Sequence, residues 1–395
     1  MDHHCWIEDE IARLRQNNLW RSLRSVESMP LGRAKIDGRE IILLGSNNYL
    51  GLSAHPRVIE AAENALTKFG TGSSGSRLTT GNLNLYMELE GKIANLKQTE
   101  AAIVFSSGYL ANIGMISALA VEGDLILSDA LNHASIIDGC RLSKAKKSIY
   151  LHSDLNHLEH LLKDAGEYQR RWIITDGIFS MDGDIAPLPA IYDLACQYGA
   201  RLIVDDAHGL GVLGRNGSGT VEHFGLSGNQ DIIQIGTLSK AVGGLGGYVA
   251  ASKNLIDLLI NQARSFIFST GLPPATLAAA TTAIDIIRSS VEIRQKLLKN
   301  AQKLKNALLQ NGFDLLSNDT QIIPLIIGPA KRTLRFSEIL FEHGVYAPAI
   351  RPPTVPEGTS RLRISVIATH TDNDMQRVIQ ALVESRTSVD KLHQL

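Results

Sequence analysis

Residues 201–214 read RLIVDDAHGLGVLG and residues 231–244 read DIIQIGTLSKAVGG. In both, an apolar run without polar alternation ends abruptly in groups capable of chemistry: Asp205, Asp206 and His208 in the first, Thr237, Ser239 and Lys240 in the second. Strands apolar on both faces belong in a sheet covered by helices on both sides. Working outward, the same unit recurs as AIVFSS, DLILSD, SIYLH, WIITDG and GGYVAA between about residues 100 and 250. Amphipathic helices are predicted between these runs at 109–120, 133–143, 154–165 and 187–198. The fold class is therefore α/β, with a mostly parallel seven-stranded central sheet in a large domain.

The flanks differ in character. Trp6, Ile7, Ile11, Leu14, Leu19 and Leu23 recur at helical spacing over 6–23. Asp37-Gly38 reads as a hairpin turn, and Ser46-Asn47-Asn48 opens a polar loop after an apolar strand. A long helical run is predicted from 275 to 310, ended by Asn311-Gly312 and serving as a connector. Strands at 322–327, 345–350 and 361–367, with helices at 331–343 and 373–386, make a smaller α+β C-terminal domain. The expected organisation is an N-terminal helix and short strands over 1–45, a large domain over 46–285 and a small domain over 286–395.

Composition narrows the function. The 395 residues allow two or three domains at a prior of roughly 150 residues each. Thirty-nine Lys and Arg against 40 Asp and Glu give a net charge of −1, which argues against a nucleic-acid partner. No apolar run approaches the roughly 20 residues that span a bilayer, and acids stand where a secretion signal has its apolar core. Neither a membrane partner nor export is expected. Cys5, Cys140 and Cys196 are too few and scattered for a disulfide framework, which fits a cytoplasmic location. His3, His4 and Cys5 have no fourth ligand at a finger spacing, so no metal is expected.

In open α/β sheets, ligands sit beyond the carboxyl ends of strands. Five strand ends here carry reactive groups: Ser106-Ser107-Gly108-Tyr109, Asp129 with His133, Asp176-Gly177 with Ser180, Asp205-Asp206 with His208, and Thr237 with Lys240. Ser107-Gly108 feeding a helix suits a phosphate. Gly209–Gly214 matches G-x-G-x-x-G, but the string around it is too rich in glycine to open a helix, so a nicotinamide dinucleotide is disfavoured. Lys240, in a short turn with a glycine-rich wall, has the setting of an imine-forming amine. An anion nest, a carboxylate for a pyridine nitrogen, a ring to stack and a lysine together suit a phosphorylated pyridine aldehyde.

At this point NNYLGLSAHP, GTGSSGSRLTTG, FSSGYLAN, HAS, DGIFSMDGDIAPL, VDDAHGLGVLG, GTLSKAVGG and IRPPTVPEGTSRLRIS resemble the α-oxoamine synthases over residues 20–385. These are fold type I enzymes that use pyridoxal 5'-phosphate to condense an amino acid with an acyl thioester and release carbon dioxide. The resemblance implies that Lys240 bonds to the cofactor and moves the substrate proton, Asp205 pairs with the pyridine nitrogen and His133 stacks on the ring. It places Ser180 and His208 beside the ring oxygen, and Gly108, Tyr109 and Thr237 around the phosphate. Arg21 and Thr354 are implied toward the acyl substrate, Asn47 and Arg363 at the amino-acid carboxylate.

Strand alternation puts Arg361 on the same face as Arg363, so either arginine can be the clamp. The tail IRPPTVPEGTSRLR is similar to that of members that join L-alanine to a pimeloyl thioester. The resemblance also implies a homodimer, with Ser269-Thr270 reaching the neighbouring phosphate. Ser239-Lys240-Ala241 and Ser76-Arg77-Leu78 are shared with other members, so sister synthases using glycine and acetyl-CoA remain open, as does an aminotransferase.

Overall fold

A computed structural model describes residues 5–28, 31–316 and 319–392. His3, His4 and the side chain of Cys5 lie outside them. The chain divides into two compact units, one of residues 47–298 and one that joins residues 1–46 to 299–395.

The smaller unit begins with α1 (Cys5–Gln16), β1 (Val26–Ser28), β2 (Arg33–Ile36) and β3 (Arg39–Leu43). Helix α1 stops earlier than its apolar spacing suggests, in a turn at Asn17-Asn18 where Asn18 has φ 56°. Asp37 and Gly38 both have positive φ, 51° and 74°, the geometry of the tight turn expected between β2 and β3.

The larger unit runs through α2 (Pro56–Phe69), α3 (Asn84–Lys97), β4 (Ala101–Phe105), α4 (Gly108–Leu119), β5 (Leu125–Asp129) and α5 (Ala134–Leu142). It continues with β6 (Lys146–Tyr150), α6 (Leu155–Lys163), β7 (Arg171–Asp176), α7 (Leu188–Gln197), β8 (Arg201–Asp205), α8 (Thr220–His223) and β9 (Ile232–Thr237). β10 (Gly247–Ala251), α9 (Lys253–Gln262), α10 (Arg264–Ile267) and α11 (Pro274–Ser289) follow, and α12 (Val291–Gln310) leads out of the unit.

The seven strands are ordered β4-β10-β9-β8-β7-β5-β6. Their two faces bury separate cores: Trp172 and Ile174 of β7 join one with α4, α5 and α9, whereas Ile173 joins the other with α6 and α7. Each fully buried Ile or Leu contributes about 1.5–3 kcal/mol, so both coverings are required. β10 runs antiparallel to β4 and β9. Residues 238–246 are too few for the crossover that a parallel neighbour requires, so the chain turns straight back.

Two further elements depart from the sequence expectation. The predicted 275–310 helix is broken at Ser290 (φ −113°, ψ 77°) into α11 and α12. Arg294 reinforces the break by donating from its guanidinium to the carbonyls of Ile287 and Arg215. The predicted 345–350 strand is two short pieces, β12 (Val345–Tyr346) and β13 (Ala349–Ile350), which follow β11 (Ile322–Gly328) and α13 (Ala330–Glu342). Pro348 between them lacks an N–H, and the chain switches sheets there: β12 pairs with β3, whereas β13 pairs with β14 (Ser360–Ser365). Helix α14 (Asp372–Leu392) closes the unit.

Candidate active site

The reactive groups of the larger unit converge because five β-strands end on one side of its sheet. Ser107, Gly108, Tyr109, Asn112, His133, Ser135, Asp176, Ser180, Asp205, Ala207, His208, Thr237, Ser239 and Lys240 line one cavity of about 220 Å³. Every cofactor residue expected from sequence is among them.

Asp205 is the last residue of β8 and nearly inaccessible. Its carboxylate accepts from Asn112 Nδ2 at 2.6 Å and from the Ala207 N–H at 3.0 Å. Two donors fix its orientation. Its neighbour in the sheet, Asp176, is buried and accepts from the His133 N–H at 2.8 Å. Burial, followed by the charge of Asp205, pushes the Asp176 carboxyl well above the usual carboxylate range.

His133 caps the start of α5. Its Nδ1 accepts from the Ser135 N–H at 3.2 Å and lies 2.8 Å from Ser135 Oγ, so the ring proton belongs on Nε2. Desolvation by the surrounding protein lowers the His133 pKa, and Lys240 lowers it further against the opposing charge of Asp205. A neutral, hydrogen-bonded imidazole on the cavity wall is suited to stacking on a flat ring.

Lys240 Nζ lies 2.7 Å from His208 Nε2, and His208 Nδ1 lies 2.6 Å from the Tyr49 hydroxyl. That hydroxyl donates to Asn47 Oδ1 at 3.1 Å. With Lys240 as an ammonium, the chain has one consistent direction: Lys240 donates to His208, His208 to Tyr49, and Tyr49 to Asn47.

The end of the cavity expected to take a phosphate is built from α4 and β9. Ser107 Oγ accepts from the Leu110 N–H at 3.1 Å, which leaves the first-turn N–H groups directed out of the helix end. A Cβ on Gly108 would come within 3.2 Å of Thr237 Cβ, and one on Gly247 within 2.5 Å of the Gly108 backbone. The close approach of β10 and α4 therefore requires glycine at 247, and the contact with β9 leaves a side chain at 108 little room. Thr237 Oγ1 is 2.7 Å from Ser239 Oγ and donates to the Gly246 carbonyl at 2.9 Å, which pins the start of the lysine loop. A phosphorylated aromatic aldehyde fits these donors, the carboxylate and the amine.

A family profile described as aminotransferase class I and II matches residues 39–382. The 8-amino-7-oxononanoate synthase of Geobacter sulfurreducens is 50% identical over 378 residues, covering 95% of this chain and 96% of that protein. The 8-amino-7-oxononanoate synthase 2 of Bacillus subtilis is 51% identical over 375 residues, with 95% and 96% covered. The chain belongs to the 8-amino-7-oxononanoate synthase family. Among solved structures, the synthase of that name from Francisella tularensis matches with TM-score 0.76 and 30% identity over 88% of this chain and 98% of that one. Serine palmitoyltransferase from Sphingomonas wittichii matches with TM-score 0.93 and 33% identity over 99% of each chain. The sheet and the smaller α+β unit are those of a fold type I enzyme.

The apolar runs of the sequence mark the strand ends and not the residues that support them. Asn112 and Tyr49 were missed. A fully buried Asn inside the apolar helix GYLANIGM was the available signal for the first. Nothing local marks Tyr49, which looks like an ordinary core aromatic. Tyr109, expected at the phosphate, lines the cavity and turns its hydroxyl to Asp138. The G-x-G-x-x-G string at 209–214 forms turns and no helix, with Gly211 and Gly214 at positive φ.

The other expected substrate residues lie in the smaller unit. Arg21 is exposed beyond α1, and Thr354 is exposed in a turn that its N–H closes onto the Arg351 carbonyl at 3.1 Å. Arg361 and Arg363 are buried in β14: Arg361 donates to the Thr359 carbonyl at 3.0 Å, Arg363 to Ser365 Oγ at 2.8 Å.

Proposed function

We infer that the chain is a pyridoxal-phosphate-dependent acyltransferase that condenses L-alanine with a pimeloyl thioester to give 8-amino-7-oxononanoate, carbon dioxide and free thiol, a step of biotin biosynthesis. The observation that carries this reading is the cavity shared by Lys240, Asp205 and His133, each from a different strand end. In the net reaction the α-carbon of alanine bonds to the acyl carbon, the thiol leaves, and the alanine carboxylate departs as carbon dioxide.

Pyridoxal phosphate, when bound, supplies an electron sink for the charge left on the α-carbon. Lys240 Nζ would bond to its aldehyde carbon and, once released, take the α-proton. His208, 2.7 Å away, accepts from that amine and holds it in line. Asp205, fixed by Asn112 and Ala207, would keep a pyridine nitrogen protonated. His133 would pack on the ring, with Ser180 and His208 at its oxygen. The α4 end with Gly108, Tyr109 and Thr237 would hold the phosphate. Arg363 or Arg361, with Asn47, would grip the alanine carboxylate through a guanidinium fork, and Arg21 and Thr354 would contact the acyl chain.

A homodimer in the cytosol completes the reading. Among the described residues, no helix is long and apolar enough to cross a membrane.

A second reading, serine with a long-chain acyl thioester, is favoured by the TM-scores of 0.93–0.94 to several serine palmitoyltransferase structures. Incubation with pyridoxal phosphate, one amino acid from alanine, serine and glycine, and a pimeloyl, palmitoyl or acetyl thioester, followed by product mass, separates the readings. The mass of 8-amino-7-oxononanoate from alanine alone is expected. Turnover with serine and palmitoyl thioester only would overturn it.

A further inference from the structure

Outside the cavity lining, His152 occupies a position that the reaction chemistry does not use. Its Nδ1 lies 3.0 Å from Asp129 Oδ1 and its Nε2 lies 2.9 Å from Asp184 Oδ2, so one imidazole is shared by two carboxylates. The two acids belong to different walls. Asp129 is the last residue of β5, and the segment after it leads to His133; its oxygens also accept from the Leu131 and Ser153 N–H groups at 2.8 and 2.9 Å. Asp184 sits in the loop after β7 that carries Ser180. That loop is closed on itself by the Phe179 N–H to the Asp184 carbonyl at 3.0 Å and by the Ile178–Ile185 bridge. The His152 ring also meets the Phe179 ring in a T-shaped contact, centroid to centroid at 4.4 Å.

We propose that His152 is a positioning residue that sets the distance between the His133 and Ser180 walls by holding Asp129 and Asp184 on one imidazolium. This rests on pyridoxal phosphate being the occupant of the cavity. The physical reason is charge. A neutral imidazole has one N–H and satisfies one carboxylate, whereas the cation has two and joins both. Burial opposes that charge, but the hydrogen bonds the ring donates to Asp129 and Asp184 outweigh it and lift the His152 pKa to about 10. The Asp176–His133 N–H bond ties the same two walls nearer the sheet, so His152 is the outer of two ties and its loss leaves the inner one intact.

The test is a cycle of His152→Ala, Asp184→Ala and the double variant. Each apo-protein is titrated with pyridoxal phosphate by absorbance, and its thermal midpoint is recorded without cofactor. His152→Ala is expected to raise the cofactor Kd about tenfold or more, the scale of one lost charge-assisted bridge, with each titration run well below that apo-protein's own thermal midpoint so that the loss is read on folded protein. The double variant is expected to bind within about twofold of His152→Ala, because both changes cut the same tie. A cofactor Kd unchanged in His152→Ala, or losses that multiply in the double variant, overturns the proposal. If His152→Ala does not fold, a wild-type Kd in Asp184→Ala overturns it and a raised Kd supports it. A wild-type chain that takes up no pyridoxal phosphate sinks the functional reading along with the bridge, whereas normal uptake by wild type and variant alike sinks the bridge alone.

Discussion

Asp205 and Asp206 are consecutive, each has a lysine associated with it, and they serve opposite ends. Asp206 and Lys97 are both wholly inaccessible and 2.8 Å apart. Every direction around the pair is filled: Lys97 also donates to the Ser218 carbonyl, and Asp206 accepts from the Thr220 N–H and hydroxyl at 3.1 and 2.8 Å. Asp205 faces the cavity together with Lys240. The closed pair anchors the glycine-rich 209–219 loop, where a Cβ on Gly209 or Gly219 would collide with the Asp206 carboxylate. The open pair keeps one side of each group available to a ligand. Asp205 ends the strand and Asp206 begins the turn after it, so one residue type stands in adjacent positions as a cavity-lining group and as an anchor.

The comparison breaks most visibly at Lys240. Replacement by Ala is expected to lower kcat about 10⁴-fold and to abolish the absorbance band near 410–430 nm, while thermal stability hardly changes. Asp205→Ala is expected to cost about 10²–10³-fold in kcat through loss of the charge opposite the developing carbanion, measured with saturating cofactor. Lys97→Met should invert the pattern. It strands the Asp206 charge in a dry site, at about 3–5 kcal/mol of folding stability read by denaturant unfolding, with kcat of the surviving folded enzyme near wild type. Asn112→Ala removes one of two donors that aim Asp205, and about a tenfold rise in the cofactor Kd is expected by absorbance titration.

The smallest effect concerns pH. The folded-state pKa of His152, about 10, stands above the ordinary histidine value of 6.5. Its contribution to stability is therefore complete below pH 6.5 and lost as pH rises through about 10. The thermal midpoint of wild type should exceed that of His152→Gln at pH 7, and the gap should narrow between pH 9 and 11. A gap constant over that range would separate the histidine from its charge.

The strand ends were legible because burial demands apolar residues up to the point where the strand leaves the core, and the first polar groups after that point are conspicuous. Lys240, Asp205, His133, His208 and Thr237 were found in that way, and all line the cavity. Supports such as Tyr49 and Asn112 escaped because their partners are distant in sequence: Tyr49 meets His208 across 159 positions and Asn112 meets Asp205 across 93. The antiparallel course of β10 follows from the shortness of the segment before it, a length the alternating pattern does not weigh. The break at Ser290 is invisible to helical periodicity, since the apolar stripe resumes at once. The resemblance supplied Arg363, whose residue type and strand alternation alone do not distinguish it from Arg361.

The reversed strand has a mechanical corollary. Thr237 and Gly247 face each other across the ladder, and the Leu238 N–H returns to the Gly246 carbonyl at 2.9 Å, so the excursion bearing Lys240 departs from and comes home to a single rung. Tension on such a loop cannot pull β9 and β10 out of register. A lysine arm that engaged and released a cofactor once per turnover would swing on this one rung like a hinged latch on a fixed doorframe, and the frame would carry none of the load.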